Sequence, residues 1–139
     1  MTVPAGGIAR FAARAADHPA GADIDVYAYR ESGSTWTPAG TSNDTGSDEE
    51  VVVDQPGRYR VFHHLYSAPA PATVVSLSWV AATSSDALTA SPPTSEATAG
   101  TAVTLTLTWR GLEPDGDYFG VMLLEDGTTT IRRTLLEIA

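Results

Sequence analysis

Alternation of apolar and polar side chains is the dominant pattern of the chain, and it predicts β-strands. In residues 102–110, every second side chain from Val103 to Trp109 is apolar, with Thr and Arg between, which is the period of a half-buried strand. Shorter runs rich in β-branched or aromatic residues, each bounded by Gly, Pro, Ser or Asp, occupy residues 24–29, 50–53, 59–66 and 73–80. Together they predict an all-β protein.

Residues 8–16, "IARFAARAA", fit two patterns. Their Ala content gives good helix propensity, but Phe11, Ala13 and Ala15 also alternate with Arg10, Ala12 and Arg14. We interpret this segment as a strand, because its neighbours are strands and a lone short helix is marginal without tertiary packing.

The end of the chain, residues 118–138, consists of two apolar runs on either side of Glu-Asp-Gly. Gly accepts a positive φ and Asp tolerates the left-handed region, so Asp126-Gly127 is a strong turn signal. The pattern therefore predicts an antiparallel hairpin.

The strands together predict an antiparallel β-sandwich of the jelly-roll or fibronectin III-like kind. A shift to Ser, Thr, Ala and Pro over residues 83–100 indicates either a linker or a short edge strand that ends at Pro92-Pro93. We place a boundary near Thr83, which divides the chain into residues 1–83 and 84–139. Because the second part has too few strands for a full sandwich, we expect the two parts to pack on each other.

Composition argues against two classes of partner. The net charge is -9, and all 8 basic residues are Arg, so there is no basic stripe for the phosphates of a nucleic acid. No stretch is long and apolar enough to span a bilayer, and Cys is absent, which excludes disulfides and thiolate metal sites. We expect a soluble chain, and the sequence leaves open whether it is cut from a longer one.

Ser42 lies in "AGTSND", which is similar to the Gly-Thr-Ser context of the nucleophile in subtilisin-like proteases. The turn formers that follow cannot begin the helix that this context requires, and no Asp or His motif of those proteases lies upstream. Residues 39–44 are therefore expected to be a polar hairpin loop rather than a catalytic segment.

The three histidines do not predict a zinc site. His63 and His64 are adjacent in a predicted strand, so their side chains point to opposite faces, and His18 is remote in sequence. We expect one imidazole of the pair to be packed inside and the other to be solvated.

A calcium site is a hypothesis for the acidic residues. Alternation places Asp23 and Asp25 on one face of the strand "DIDVYAY", and the loop "NDTGSDEE" adds Asp44, Asp48 and Glu49. Carboxylates are the ligands that calcium prefers, but the spacing is not that of an EF-hand, and a solvated acidic surface is the alternative.

Aromatic residues raise the question of a carbohydrate- or peptide-binding groove. Trp79 and Trp109 end alternating apolar faces, which favours a place in the core. Trp36, in "SGSTWTPAG", lies between turn residues and is the tryptophan expected to be exposed, so it is the candidate binding residue.

The order "ADIDVYAYR", "GTSNDTGSDEEVVVDQPGRYRVFHHLYSA" and "VVSLSWVAA" resembles the pre-peptidase C-terminal type of β-sandwich that follows the catalytic domain in secreted bacterial proteases. The rest resembles the fibronectin type III-like tail of subtilisin-like serine proteases. Residues that match that tail are Tyr118, Phe119, Gly120, Asp126, Gly127, Ile131 and Arg132. Lys-free, Ala-rich usage is also similar to that of high-GC actinobacterial proteins.

The resemblance implies a non-catalytic C-terminal module of a secreted, extracellular protease, since the catalytic Asp, His and Ser motifs are missing. Its partner in cis would be the catalytic domain of the parent protease, and its role would be stability, attachment or substrate presentation. The alternative is an extracellular module that binds a polysaccharide or a protein through Trp36 and nearby tyrosines. A free-standing enzyme is the least favoured interpretation.

Overall fold

Strands supply nearly all the regular structure of the chain. The structure is a computed structural model that describes residues 1–81, 87–92, 98, 100–114, 116 and 118–138. In chain order the strands are β1 (Thr2–Val3), β2 (Ile8–Ala13), β3 (Asp23–Ser32), β4 (Thr35–Ser42), β5 (Glu49–Val53), β6 (Gly57–Ser67), β7 (Leu77–Ala81), β8 (Leu88–Ser91), β9 (Thr106–Trp109), β10 (Tyr118–Asp126) and β11 (Thr129–Ile138). Every recorded pairing is antiparallel, and the predicted all-β class is confirmed.

The chain divides into two units, Met1–Thr83 and Ser84–Ala139. In the first, a four-stranded sheet has the order β1-β6-β3-β4, and a three-stranded sheet has the order β5-β2-β7. The second contains the pairs β8-β9 and β10-β11. Thr83, the predicted boundary, and Pro93, at the end of the predicted edge strand, both lie outside the described residues.

Side chains from both sheets of the first unit form its hydrophobic core. Phe11 of β2 and Val51 of β5 belong to the same buried cluster as Ile24, Val26 and Ala28 of β3. The three β3 side chains are 0% exposed, so this face of the strand is buried from Ile24 to Ala28. Because side chains alternate along a strand, the residues between them are directed to the other face of the four-stranded sheet.

Residues 8–13 of the ambiguous N-terminal segment form β2, and the interpretation as a strand is confirmed. The strand lies between β5 and β7, and its Phe11 is 0% exposed. A central strand is covered by its sheet neighbours and the opposite sheet, so an Ala-rich sequence suits it. The chain then leaves the sheet in a single 3-10 turn, Ala15–Asp17.

The predicted C-terminal hairpin is confirmed as β10 and β11. Its register pairs Tyr118 with Ile138 and Asp126 with Thr129. Gly127 has a φ of 63°, as the first central residue of a type II′ turn requires.

Two predicted strands begin later than expected. The strand predicted at residues 102–110 forms only at Thr106–Trp109, because its partner β8 is four residues long and its register ends there. The strand predicted at residues 73–80 begins at Leu77, which pairs with Ala12 just before β2 ends. A strand needs a partner backbone, and the pairing of each strand ends at these residues.

The prediction of a polar loop at residues 39–44 is wrong, since residues 39–42 belong to β4. Gly33, with a φ of 61°, turns the chain between β3 and β4, and β4 then pairs along β3 from Ser32↔Thr35 to Val26↔Ser42. The sequence of β4 is polar and contains Pro, both of which an edge strand tolerates.

The prediction that Trp109 lies in the core is also wrong, since this residue of β9 is 51% exposed. Trp79, by contrast, is half-buried beneath the guanidinium groups of Arg10 and Arg14, which lie 5.0 Å and 5.3 Å from its ring centroid. In the described part of the chain, no helix is long and apolar enough to cross a membrane.

Candidate binding groove

An open groove lies on the face of the four-stranded sheet that points away from the core. The residues that line it are Tyr27, Tyr29, Trp36, Arg60, Phe62 and His64, and its volume is about 510 Å³. We call this feature the aromatic groove. Its lining residues among those the structure describes come from β3, β4 and β6.

Strand register explains why these side chains meet. On β3, Tyr27 and Tyr29 alternate with the buried core residues and so project outward. Tyr27 lies opposite Phe62 and Tyr29 opposite Arg60 on β6, and side chains at opposed positions of an antiparallel pair share a face. A row of aromatic and basic groups is the result.

Part of the apolar surface of the aromatic rings is exposed to solvent. Tyr29 and Phe62 are in edge-to-face contact, with ring centroids 5.8 Å apart and planes at 83°. Phe62 is 53% exposed, although a side chain of this kind is usually buried. Exposed apolar surface that is gathered in one concave place is typical of a ligand site.

Asp25 lies at the His64 end of the groove and is only 7% exposed. Its Oδ2 accepts a hydrogen bond of 2.9 Å from the Tyr27 hydroxyl and lies 3.4 Å from Nδ1 of His64. The hydrogen bond to Asp25, with smaller contributions from burial and from the Asp25 charge, raises the pKa of the Tyr27 phenol. The phenol therefore stays neutral and its oxygen keeps capacity to accept a hydrogen bond from a ligand.

Arg60 differs from the other arginines of this sheet in its partners. Arg58 donates from Nη1 to both carboxylate oxygens of Glu31 at 3.1 Å, and Arg30 donates to Gln55 and to the carbonyl of Pro56. The recorded contact of Arg60 is with the Trp36 ring, 4.3 Å from its centroid. Within the described residues, the N–H groups of Arg60 have no hydrogen-bond acceptor.

The residues of the hypothetical calcium site lie in different surroundings. Asp23 accepts a hydrogen bond from the backbone N–H of Gly46, so the predicted meeting of strand and loop does occur there. Asp48 accepts from the N–H of Ala15, and Asp25 accepts from the hydroxyl of Tyr27. The other two residues differ in burial, since Asp44 is exposed whereas Glu49 is buried. Among the described residues, no three His, Asp or Glu side chains are grouped so that they could hold a metal ion.

Ser42 joins two strands. Its hydroxyl donates to the carboxylate of Glu49 and accepts from the N–H of Glu50, so it links the end of β4 to the start of β5. A serine nucleophile needs a base that is itself oriented by a third group, and among the described residues the Glu49 carboxylate is hydrogen-bonded to Ser42 alone.

The two adjacent histidines differ in burial, as alternation predicts. His63 is half-buried and its Nε2 lies 3.1 Å from the carbonyl oxygen of Ala12, while the His64 side chain is 58% exposed. Burial is the main reason that the pKa of His63 is lowered, and the charge of His18 lowers it further. The hydroxyl of Ser76 lies 3.0 Å from Nδ1 of His63.

Sequence reasoning identified Trp36 but missed the groove residues of β6. The structure moves Trp36 from a turn into a strand and half-buries it against Arg60. A local signal for the missed residues was present, because the even positions of residues 58–66 are Arg, Arg, Phe, His and Tyr, while the odd positions include Val61 and Leu65. Reading that alternation as two faces assigns the aromatic and basic set to a single exposed face.

Comparisons with known protein families, with characterised proteins and with solved structures found no match for this chain. They therefore do not identify it as the C-terminal region of a subtilisin-like protease, and that assignment stays a prediction. The groove is the feature from which a function can be argued.

Proposed function

We propose that residues 1–83 form a non-catalytic carbohydrate-binding module whose site is the aromatic groove. The observation that carries the proposal is the gathering of four aromatic side chains, Tyr27, Tyr29, Trp36 and Phe62, on one uncovered sheet face beside Arg60 and His64. A groove of about 510 Å³ is within the size range of sites for small ligands.

Sugar chemistry fits this combination of groups. A pyranose ring presents C–H groups on its faces and hydroxyls around its edge. Aromatic side chains supply flat apolar surface at low conformational cost, and a few placed polar groups fix the orientation. In the groove, Phe62 offers the apolar surface, while the phenol oxygen of Tyr27 and the imidazole of His64 are placed to contact hydroxyls.

The extent of the groove favours an oligosaccharide over a folded protein. Three strands span only about 10 Å across the sheet, since neighbouring strands are roughly 5 Å apart. A stable protein interface buries about 800 Å² on each partner, which is far more surface than a groove of this width offers.

Native affinity electrophoresis tests the proposal. With a net charge of -9, the protein migrates toward the anode, and a polysaccharide cast into the gel retards a protein that binds it. We expect retardation by at least one member of a panel of soluble neutral and acidic polysaccharides. Trp36→Ala should abolish it, whereas Trp109→Ala, which changes an exposed tryptophan outside the groove, should not.

Two outcomes overturn the proposal. One is unretarded migration of the unaltered protein through every gel of the panel. The other is equal retardation of the Trp36→Ala and unaltered proteins, since binding would then take place elsewhere. Far-UV circular dichroism of each variant shows whether its fold is retained.

A second proposal follows from the resemblance, namely that the module is the extracellular accessory region of a secreted subtilisin-like protease. It is supported by the matching residues of β10 and β11 around Asp126-Gly127, and it is compatible with carbohydrate binding, since attachment is one role of such a region. DNA sequence upstream of the Met1 codon tests it. An open frame that encodes Asp, His and Ser protease motifs is expected, and an in-frame stop codon directly upstream contradicts it.

A further inference from the structure

We propose that the glycan bound in the aromatic groove is acidic, with a uronate carboxylate that binds Arg60. The inference rests on the carbohydrate-binding function proposed above and specifies the class of sugar. It depends on three observations: the way Arg60 is held, the partners of its neighbouring arginines, and the separation of Arg60 from Asp25.

Trp36 lies beneath the guanidinium of Arg60. The guanidinium carbon is over the indole ring, 4.3 Å from its centroid. The N–H donors of a guanidinium lie in its plane and point outward from its edge, and among the described residues those of Arg60 have no acceptor. A carboxylate matches two of these donors in a paired, planar hydrogen-bond arrangement.

Arg58 shows what happens to an arginine with an acidic neighbour on the same face. It lies two residues before Arg60 on β6, and its Nη1 contacts both oxygens of Glu31. Arg60 lies opposite Tyr29, which has no carboxylate to offer it. Among the described residues, Arg60 has no carboxylate within salt-bridge distance, so a ligand carboxylate would supply the missing partner.

Asp25 does not cancel the charge of Arg60. Asp25 lies opposite His64, four residues along β6 from Arg60, which corresponds to roughly 13 Å. That separation exceeds the screening length of about 8 Å at physiological ionic strength. Asp25 is also engaged by the Tyr27 hydroxyl and by His64. The groove is thus cationic at Arg60 and polar at the other end, where uncharged hydroxyls are the matching ligand groups.

The net charge of -9 repels an acidic polymer at long range, so specific contact in the groove must provide the attraction. Screening weakens this repulsion as salt is added, and that gain offsets part of the weakening of the Arg60 contact. Uronate binding by this protein should therefore persist at physiological salt, unlike the binding of polyanions to basic surfaces.

Isothermal titration calorimetry with matched sugars tests the inference. The probes are short oligomers of galacturonate, mannuronate and glucuronate, each compared with its fully methyl-esterified form, which has the same rings without the charge. We expect at least one acid oligomer to bind about tenfold more tightly than its ester, as is ordinary for a hydrogen-bonded charge.

Arginine variants locate the contact. Arg60→Gln should lower the affinity for the acid oligomer to that of the ester, and Arg60→Lys, which keeps the charge but loses the planar fork, should give an intermediate affinity. Arg58→Gln is the matched control, because it removes an equally basic side chain from the same strand and should leave the ratio of acid to ester affinity unchanged.

The outcomes separate this inference from the function on which it rests. If acid and esterified oligomers bind equally, the carboxylate preference is wrong while a carbohydrate-binding groove stands. Equal effects of Arg60→Gln and Arg58→Gln refute the assignment of Arg60. If no oligosaccharide, acidic or neutral, binds in calorimetry or retards the protein in gels, both proposals fail.

Discussion

Arg60 and Trp36 are in cation–π contact across the strand that separates them. The guanidinium carbon lies 4.3 Å from the centroid of the indole, although β6 and β4 are not neighbours and β3 lies between them. The contact therefore ties an edge strand that is otherwise polar to the centre of its sheet.

A double-mutant cycle should detect this contact in the stability of the protein. Unfolding of the Arg60→Ala, Trp36→Ala and double variants is expected to give a coupling free energy of about 0.5–1 kcal/mol, as for cation–π pairs near a surface. Urea unfolding followed by circular dichroism measures it. The matched cycle with Arg58→Ala in place of Arg60→Ala should give a coupling near zero, and similar couplings in both cycles would refute the contact.

Tyr27 should ionise above the ordinary pH range of tyrosine. Its folded-state pKa is raised, first by the hydrogen bond to Asp25, so the neutral phenol favours the folded state. This contribution is present below the unfolded pKa of about 10 and is lost as pH rises through the folded value. NMR titration of the Tyr27 ring carbon measures the shift. Asp25→Asn should bring the titration closer to the ordinary value, and an unchanged midpoint would contradict the stated cause.

His63 should make the folded state less stable in mild acid. Burial lowers the pKa of His63, so the neutral ring favours folding above the unfolded pKa of about 6.5, and that stability is lost as pH falls through the lower folded value. Unfolding free energies should therefore fall less steeply between pH 7 and about 5 in His63→Gln than in the unaltered protein. Equal slopes for His63→Gln and the unaltered protein over this range would contradict the prediction.

Neither Ser42 nor Ser76 is expected to act as a nucleophile. The Ser42 hydroxyl donates to the Glu49 carboxylate, and the Ser76 hydroxyl lies beside both ring nitrogens of His63, at 3.0 Å and 3.4 Å, rather than in line with one of them. Incubation with a fluorophosphonate probe and with casein should give neither labelling nor cleavage. Labelling that disappears in Ser42→Ala or Ser76→Ala would show that the chain is an enzyme.

Calcium should stabilise the protein no more than magnesium does. Asp23 and Asp48 each accept a hydrogen bond from a different backbone N–H, and Asp25 from the Tyr27 hydroxyl, so these carboxylates do not share one position. A real site at about 100 times its Kd would add roughly 2.7 kcal/mol to the unfolding free energy. Melting curves in chelator, millimolar calcium and millimolar magnesium measure the difference, and a rise in Tm that is specific to calcium would support the calcium site.

The sequence by itself determined those features that depend only on neighbouring residues. The alternation around Ile24 and Val26 predicts which face of β3 is buried, and Asp126-Gly127 fixes the turn of the terminal hairpin, because side-chain period and permitted φ are properties of neighbouring residues. Trp36 could be named as a binding residue for the same reason, since the chain around it has no apolar alternation that would bury it.

The tertiary structure alone decided which strands became neighbours, and so which side chains share the groove. Arg60 meets Trp36 because β6 and β4 both flank β3 in a fixed register, and that register is set by packing the opposite face into the core formed with the second sheet. The strand β4 itself has too little apolar pattern to be predicted and exists because β3 offers its backbone. Pairing between residues far apart in sequence depends on the whole sheet at once, and no short stretch of sequence encodes it.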